Sequence, residues 1–452
     1  MSADHNPFLH GPLPVIYART ALPIILVMGM NGVLAVTDAL FLGRYVGPEA
    51  LAAVTLMFPA YMLIVSLATL VSSGMSSVLA RRVGAGDMAG ARSVFHGAHG
   101  LALISGVVVI LAFLAAGPTV ALIAAGGEPL LADLGLIYLR ITVLTAPMMF
   151  VLSVNSDALR SEGRVGFMAA MSLFVSLANI GFNWVLIAGL GWGVAGSAWG
   201  TAAAQAVALA MIVAFRLRGG ALPPGIGTGH WGRILALGAP QSLTFVGLAL
   251  GSGAIVVALQ WVGAPGYADT IGAYGIVTRV MTFVYLPLLG LSFAMQTITG
   301  NNYGAQAWTR SDASLRVALM LALGYCAAMQ LGLTVYARDL GAIFVDDPAV
   351  IDQVARILPV IVALFVLAGP IMMISAYFQA IGDATRAAIL SLTRPYLFAI
   401  PLTFLLADLF GEAGIWLAGP AAEALLALVA LAVLMQSARR GLGWGLFTGA
   451  RA

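Results

Sequence analysis

Asp38 is the residue of this sequence whose type and position most clearly indicate chemistry. It lies within an apolar stretch that carries no other charge after Arg19. An aspartate inside a membrane helix costs roughly 2.5–3.5 kcal/mol on insertion scales, so it usually faces the interior of a helix bundle. Desolvation disfavours its charged form, and such a carboxyl can exchange a proton near neutral pH. The alternative is that Asp38 lies at the outer membrane surface in water, since Arg44 follows six residues later.

Asn179 and Asn183 form a second polar feature within an apolar segment. Residues four apart share one face of a helix. A polar pair on one face of a membrane helix requires hydrogen-bond partners inside the bundle. The pair indicates either a polar site or an ordinary contact that holds two helices together, and the residues alone leave both readings open.

Arg394 and Glu423 are two further charges inside apolar stretches near the carboxyl end. Each alone is costly in a membrane, and charges on adjacent helices reduce that cost by pairing. We expect a structural ion pair between them. A second coupling site at this position is the alternative.

Met148 and Met149 are adjacent in an apolar stretch that also contains Pro147. Flexible, polarisable methionine side chains are suited to an adaptable pocket for varied ligands. They are equally compatible with ordinary contacts to the protein core or to lipid.

Catalytic and cofactor-binding patterns are missing from this sequence. Every basic residue is arginine, so the chain lacks the lysine of a Gly-x-x-x-x-Gly-Lys phosphate loop. The five histidines show no metal-ligand spacing, and the single cysteine, Cys326, has no partner in the chain for a disulfide. We expect no enzymatic activity, no cofactor and no metal. Arginines scattered along the chain also argue against nucleic-acid binding.

The elements that position these residues follow from composition. Of 452 residues, 61% are apolar and 9% are charged. Soluble domains carry about a quarter charged residues, so lipid must be the main solvent. The apolar stretches predict an all-α integral membrane protein whose twelve transmembrane helices span residues 15–41, 51–80, 94–117, 131–157, 166–189, 193–215, 233–262, 270–299, 313–337, 351–380, 386–407 and 412–437.

The arginines predict the orientation of these spans. With twelve spans both termini lie on one side, and fifteen of the 21 arginines fall on that side. Four fall on the other, namely Arg44, Arg140, Arg338 and Arg356. Arginine is enriched in cytoplasmic loops. We therefore expect a multi-pass protein of the bacterial inner membrane with both termini in the cytoplasm.

The chain repeats itself with an offset near 220 residues. Four short motifs recur in order, for example Val83-Gly84-Ala85-Gly86 and Tyr303-Gly304-Ala305-Gln306. Six spans per half give both halves the same topology, so their pseudo-two-fold axis runs along the membrane normal. The expected domains are two six-helix lobes, 1–218 and 233–438, with a cytoplasmic linker, 219–232, and a cytoplasmic tail, 439–452.

Several ordered motifs resemble those of the multidrug and toxic compound extrusion (MATE) transporters. They include Thr37-Asp38 in the first span, Arg81 to Asp87 after the second, Ala158 to Gly163 after the fourth and Gly300 to Ala305 after the eighth. The resemblance covers the whole chain. Within the family it resembles the branch whose acidic cation site lies in the N-terminal lobe.

This resemblance implies a secondary antiporter that exports amphiphilic, often cationic compounds in exchange for protons, with sodium as the alternative ion. It implies that Asn179, Asn183 and Thr201 accompany Asp38, and that Tyr138 and Asn155 line the substrate cavity beside Met148 and Met149. Many members of this branch have a second aspartate where this chain has Asn183, which puts sodium binding in doubt.

The expected partners are small-molecule substrates and membrane lipid, and we expect the chain to function as a monomer. One rival is a lipid-linked precursor flippase of the same superfamily. Such flippases often have a strongly cationic central cavity. Only Arg279 and Arg394 of this chain lie within predicted spans, which argues against that function. The other rival, a membrane-embedded enzyme, would need several catalytic residues at one depth, and only Asp38 with its asparagines qualifies.

Overall fold

The computed structural model describes residues 6–219, 222–263 and 266–439 and is helical throughout, with no strand among them. The N-terminal half contains α1 (Leu13–Tyr45), α2 (Pro48–Leu56), α3 (Phe58–Gly84), α4 (Met88–Ala124), α5 (Pro129–Ser161), α6 (Val165–Asn183) and α7 (Gly193–Leu217). The C-terminal half contains α8 (Trp231–Val262), α9 (Tyr267–Gly304), α10 (Trp308–Val335), α11 (Ala337–Phe344), α12 (Pro348–Ile361), α13 (Phe365–Ile381), α14 (Ala384–Leu392), α15 (Ile400–Phe410) and α16 (Glu412–Arg439).

The number of spans confirms the all-α membrane fold. Among the described residues eleven helical segments are long and apolar enough to cross a membrane, and α12 with α13 makes a twelfth when this bent pair is counted as one span. The predicted tail, 439–452, lies outside the described residues except for Arg439 at the end of α16.

Two predicted spans are interrupted. The second, predicted as 51–80, divides at Met57 into α2 and α3, because Pro59 in the first turn of α3 has no N–H with which to continue the helix. The tenth, predicted as 351–380, bends by 49° between α12 and α13. There the Gln330 side chain enters the break, donating to the Ala363 carbonyl (2.8 Å) and accepting from the Val366 N–H (2.8 Å).

The described chain packs into two compact units whose limits differ from the predicted lobes. One, here called the N-terminal unit, includes Leu22–Ser242, and the other, the C-terminal unit, includes Gly11–Ala21 and continues from Leu243. The start of α1 therefore belongs to the C-terminal unit and the start of α8 to the N-terminal unit. The compact units thus divide after Ser242, whereas the predicted lobes are divided by the linker 219–232.

Local contacts explain why the first residues of α1 and α8 each pack in the other unit. In the C-terminal unit, Tyr17 of α1 donates a hydrogen bond to the Ser314 carbonyl of α10 (3.0 Å). In the N-terminal unit, Ser73 of α3 donates to the Gln241 side chain of α8 (2.6 Å). The backbones of α3 and α8 also meet there, since a Cβ on Gly238 would lie 1.8 Å from the Leu70 carbonyl oxygen. Small residues permit such close helix packing in membranes.

The predicted linker, 219–232, is part of the N-terminal unit in its described portion. The Gly227 N–H donates to the His96 carbonyl of α4 (2.9 Å), and the Trp231 indole donates to the Gly97 carbonyl (2.8 Å). A Cβ on Gly97 would lie 2.0 Å from the Gly229 carbonyl oxygen. The linker therefore lies directly against the backbone of α4 and is not a free connection.

The internal repeat is visible in the turns that follow α3 and α9. Gly86 and Gln306, 220 positions apart, both have a left-handed backbone, with φ of 72° and 59°. The N–H groups of Gly86 and Gln306 bond to the carbonyls of Val83 and Tyr303 at the same 3.1 Å. Both halves therefore fold the same helix end, although only one has the glycine that this conformation favours.

The N-terminal copy of this turn also begins α4 with a cap. Asp87 accepts from the Gly90 N–H (2.8 Å) and pairs with Arg82 at 2.6 Å. The hydrogen bond from Gly90 and the Arg82 charge lower the pKa of Asp87. This aspartate stays ionised at neutral pH and stabilises the start of α4.

Candidate functional site

The polar residues of α6 and α7 are positioned by a helical hairpin within the N-terminal unit. Helix α6 ends at Asn183 and continues as a six-residue π-helical segment, Trp184–Gly189. Gly191 and Gly193 then adopt positive φ values of 66° and 58°, which turn the chain back into α7. π-Helical turns within α-helices are frequent at functional sites.

The structure brings Asp38, Asn183, Asn179 and Thr201 together in one chain of hydrogen bonds. The Asn183 amide donates to Asp38 Oδ1 (2.5 Å) and to Asn179 Oδ1 (3.1 Å). The Asn179 amide donates to Thr201 Oγ1 (2.7 Å). Thr201 donates in turn to the Ser197 carbonyl (3.2 Å). The acid on α1 is thus linked through two amides to a hydroxyl on α7.

The Asn183 side chain is held in this orientation by its surroundings. Asn179 and Asn183 are fully buried. Because the amide nitrogen of Asn183 serves two acceptors, its oxygen must point the other way, toward Gly200. This oxygen has no hydrogen-bond partner in the described structure. A Cβ on Gly200 would lie 2.1 Å from it. Only glycine at position 200 therefore leaves room for the amide.

Asp38 is half-buried, and Asn183 is its only hydrogen-bond partner among the described residues. Its second carboxylate oxygen is consequently available to a proton or another cation. Tyr61 of α3 and Tyr138 of α5 both lie near enough for the charge of Asp38 to act on their phenol groups. The site contains one acid surrounded by neutral polar groups, so its net charge changes between −1 and 0 when Asp38 takes up a proton.

Tyr138 forms part of the wall behind this acid. It packs with Leu134 against a small core made by Leu42, Ala50 and Val194. Tyr138 thus lies beside Asp38. Its place in a substrate cavity stays a prediction. Met148 and Met149 are half-buried and lie about three turns further along α5. No hydrogen-bonding contact ties them to the Asp38 set.

Arg394 and Glu423 form an ion pair in the C-terminal unit. Arg394 is the second residue of a π-helical segment, Thr393–Ala399, and its Nε donates to Glu423 Oε2 of α16 (2.5 Å). The Glu423 side chain is 5% exposed and that of Arg394 is 34% exposed. The pair predicted from the sequence is therefore formed, and it neutralises a carboxylate that lies deep in the unit.

No group of three or more His, Cys, Asp or Glu side chains in the described ranges is arranged to hold a metal ion. The Asp38 set supplies one carboxylate, two amides and one hydroxyl.

A match to a protein-family model identifies the family of this chain. The model named MatE matches the chain twice, over residues 23–185 and 242–405. The chain belongs to the MatE family. The two matches begin 219 residues apart, so each covers one copy of the repeat detected in the sequence.

Curated proteins are similar to this MatE chain along nearly its full length. A FAD transporter of Shewanella oneidensis is 24% identical over 443 residues, covering 94% of this chain and 95% of that protein. The multidrug export protein MepA of Staphylococcus aureus is 25% identical over 427 residues, covering 92% of each.

A solved structure has the same fold. A multidrug resistance MATE transporter of the MOP superfamily in an outward-facing conformation superposes with a TM-score of 0.85 at 24% identity, covering 96% of this chain and 98% of that one.

Asn155, predicted in the substrate cavity, belongs to a different network of this MatE chain. Its amide donates to His99 Nε2 (2.9 Å), and its oxygen accepts from Arg216 Nε (2.9 Å). Arg216 also pairs with Glu162 (2.9 Å) and donates to the Leu222 carbonyl of the linker (3.1 Å). Burial raises the pKa of Glu162, against the opposing effect of Arg216. Asn155 is 1% exposed and holds helices and linker together.

Two members of the Asp38 surroundings were not predicted from the sequence. Tyr61 was overlooked because nothing in an apolar stretch distinguishes a tyrosine beside the site from one at the membrane surface. Gly200 precedes Thr201 in α7, and a glycine in a membrane helix has many packing roles. Only its contact with Asn183 reveals its importance.

Proposed function

We propose that this MatE chain is a proton-coupled exporter of small molecules, with Asp38 as the coupling residue. The observation that carries the proposal is that Asp38 bonds to the described residues through one carboxylate oxygen only, within an otherwise neutral polar cluster. A lone membrane acid whose charge depends on the side it faces is what proton-driven transport requires.

In this mechanism a proton reaches Asp38 from outside and neutralises it. Asn183 donates a hydrogen bond to the ionised carboxylate, and such bonds to charged groups are worth about 1.5–3 kcal/mol. Protonation weakens this hydrogen bond, so α1 is no longer held to the α6–α7 hairpin by Asp38 and Asn183. Substrate is released outward. Loss of the proton to the cytoplasm then re-forms the hydrogen bond between Asn183 and Asp38.

Proton rather than sodium coupling is favoured by the composition of the cluster. A sodium ion prefers several oxygen ligands, and a second carboxylate would balance its charge. Here Asn183 occupies the neighbouring position, and its amide nitrogen points at Asp38. A positively charged ion would face this N–H group, whereas a proton binds one carboxylate oxygen.

The proposed substrates are amphiphilic and often cationic, in keeping with the similarity to multidrug export proteins. Similarity of the same degree to a FAD transporter makes FAD a second compound to test. We further propose that the chain resides in the plasma membrane with both termini in the cytoplasm, because its arginines are concentrated on that side. We also propose that it works as a monomer.

The deciding experiment uses everted membrane vesicles with an imposed pH gradient and ethidium as the transported cation. We expect Asp38→Asn to abolish gradient-driven uptake while the protein still inserts at normal levels. Asp133→Asn, which changes an exposed acid of α5, is the matched control and retains transport. Transport by Asp38→Asn at the rate of the unmodified protein would contradict the proposal.

The same vesicles separate the remaining alternatives. A sodium gradient without a pH difference should drive no uptake if the coupling ion is a proton. FAD takes the place of ethidium in a parallel series. A flippase for lipid-linked precursors would instead move a fluorescent polyprenyl phosphate, with no requirement for Asp38.

A further inference from the structure

Arg394 has hydrogen-bonding capacity that its ion pair does not use. The single bond to Glu423 is made by Nε. None of the described residues accepts a hydrogen bond from its terminal Nη1 and Nη2 groups. Glu423 is almost fully buried, whereas a third of the Arg394 side chain is accessible. The guanidinium therefore contacts the carboxylate through its Nε edge and leaves its terminal N–H groups without a protein acceptor among the described residues.

The segment that carries Arg394 packs against α8. In the same π-helical segment, Pro395 packs on Gly247 of α8, where a Cβ would lie 2.7 Å away, and Tyr396 donates to the Leu243 carbonyl (2.8 Å). Leu397 is 67% exposed and marks the outer face of the segment. The Arg394 side chain reaches α16, where it bonds Glu423.

Aromatic groups stand beside the pair. The charges of Arg394 and Glu423 both act on the Tyr285 phenol of α9, which places that ring close by. Tyr285 meets Phe365 of α13 edge to face, with ring centroids 5.3 Å apart. Tyr285 is half-buried and Phe365 is buried, so the tyrosine is the accessible member.

We propose that Arg394 binds the anionic group of a transported compound, with Tyr285 against its apolar or aromatic body. The ligand class is an amphiphile with a carboxylate or phosphate. The proposal rests on the proposed function in taking the chain as an exporter of small molecules, and it adds an anionic class of substrate to the cationic one. Glu423 is a positioning residue, which fixes the guanidinium from behind.

The geometry favours this role over that of a purely structural pair. An arginine that serves only to neutralise a carboxylate commonly binds it through two parallel N–H groups. Here contact through Nε alone leaves the terminal N–H groups for a second partner. A lysine would offer one charge to one partner, whereas the planar guanidinium can serve two anions on different edges.

The test measures binding without any gradient, in nanodiscs of phosphatidylcholine. The probe is dansylglycine, a fluorescent aromatic carboxylate, and its uncharged methyl ester is the matched control. We expect the acid to bind the unmodified protein at least about tenfold more tightly than the ester, as charge-assisted hydrogen bonds would give. Asp38→Asn should stop transport and leave this preference unchanged, which keeps failure of the proposed coupling distinct from failure of this site.

A variant that lacks both Arg394 and Glu423 tests the site most directly. Arg394→Gln alone would leave Glu423 buried without a counter-charge, so the double variant Arg394→Gln with Glu423→Gln is used to preserve folding. Acid and ester should then bind equally. Glu423→Gln alone should strengthen binding of the acid, because the guanidinium is no longer neutralised. Persistence of the preference for the acid in the double variant would overturn the proposal.

An anionic lipid could supply the same chemistry. Nanodiscs that also contain phosphatidylglycerol distinguish the two sources. If a transported anion is the ligand, dansylglycine should keep its preference in these discs. Its loss there would assign Arg394 to lipid and overturn the substrate assignment.

Discussion

The two units use corresponding spans to hold different charges. In the N-terminal unit, α6 ends in a π-helical segment at Asn183, and the acid beside it, Asp38, has only neutral partners. In the C-terminal unit, the span of α14 and α15 has its own π-helical segment, and there Arg394 neutralises Glu423. One fold therefore carries an acid without a counter-charge and an acid that is paired with one.

The difference has an energetic basis. An acid with neutral partners can leave its charged form by taking up one proton, after which nothing buried remains uncompensated. An acid paired with arginine cannot do so without leaving the arginine charge unpaired, which is strongly unfavourable in a low-dielectric interior. The repeat supplied two copies of the helical framework, and we infer that only the N-terminal copy is suited to exchanging a proton.

The largest expected contrast is in stability. Arg394→Ala should destabilise the protein by about 3–5 kcal/mol, because it leaves the buried Glu423 carboxylate without its counter-charge. Asp38→Ala should change stability by less than about 1 kcal/mol, since a half-buried acid without a counter-charge contributes little to folding. Thermal unfolding in detergent micelles measures both. Equal effects of the two substitutions would remove the distinction between the units.

The next contrast tests the space around Asn183. Gly200→Ala places a Cβ against the amide oxygen and should reduce proton-driven transport about tenfold or more, since displacing a buried hydrogen-bonded group costs about 1–3 kcal/mol. Gly181→Ala is the matched control, because a Cβ there meets nothing within 4 Å. Transport rates in vesicles, normalised to protein content, report the effect. If both variants behave alike, contact with Asn183 is irrelevant.

Asn183→Asp sharpens the comparison by adding a second acid to the N-terminal site. Two carboxylates supply oxygen ligands and negative charge for a monovalent cation. Sodium should therefore stimulate transport several-fold at constant pH. Uptake is compared with sodium and with choline chloride. An unchanged response to sodium would show that the neutral amide does not determine the coupling ion.

The smallest effect concerns the repeated turn after α3 and α9. Gln306→Gly should stabilise the protein by up to about 1 kcal/mol, because glycine adopts the left-handed conformation without steric cost. Gly86→Ala should destabilise it by a similar amount, purely through the backbone, since its Cβ would meet nothing within 4 Å. Unfolding transitions of the two variants are expected to shift in opposite directions.

Much of the architecture could be predicted because lipid imposes simple constraints on a sequence. Apolar stretches of sufficient length, alternating arginines and an offset repeat predicted the helical fold, the span count and the internal symmetry. The break within the span near residue 362 could not be predicted, since it depends on Gln330, which approaches from another helix. The exchange of the starts of α1 and α8 likewise depends on contacts between distant residues, such as Tyr17 with Ser314.

The sequence by itself determined that Asp38 is an isolated acid in a membrane helix and that Arg394 and Glu423 need partners, because the cost of a charge in lipid depends only on its type and depth. Tertiary structure decided which neighbours each one has. It placed Asn183, Tyr61 and Tyr138 around Asp38, directed Asn155 to Arg216, and left the terminal N–H groups of Arg394 without an acceptor among the described residues. Helix packing made those choices, since residues far apart in the chain become neighbours only when helices cross at particular positions.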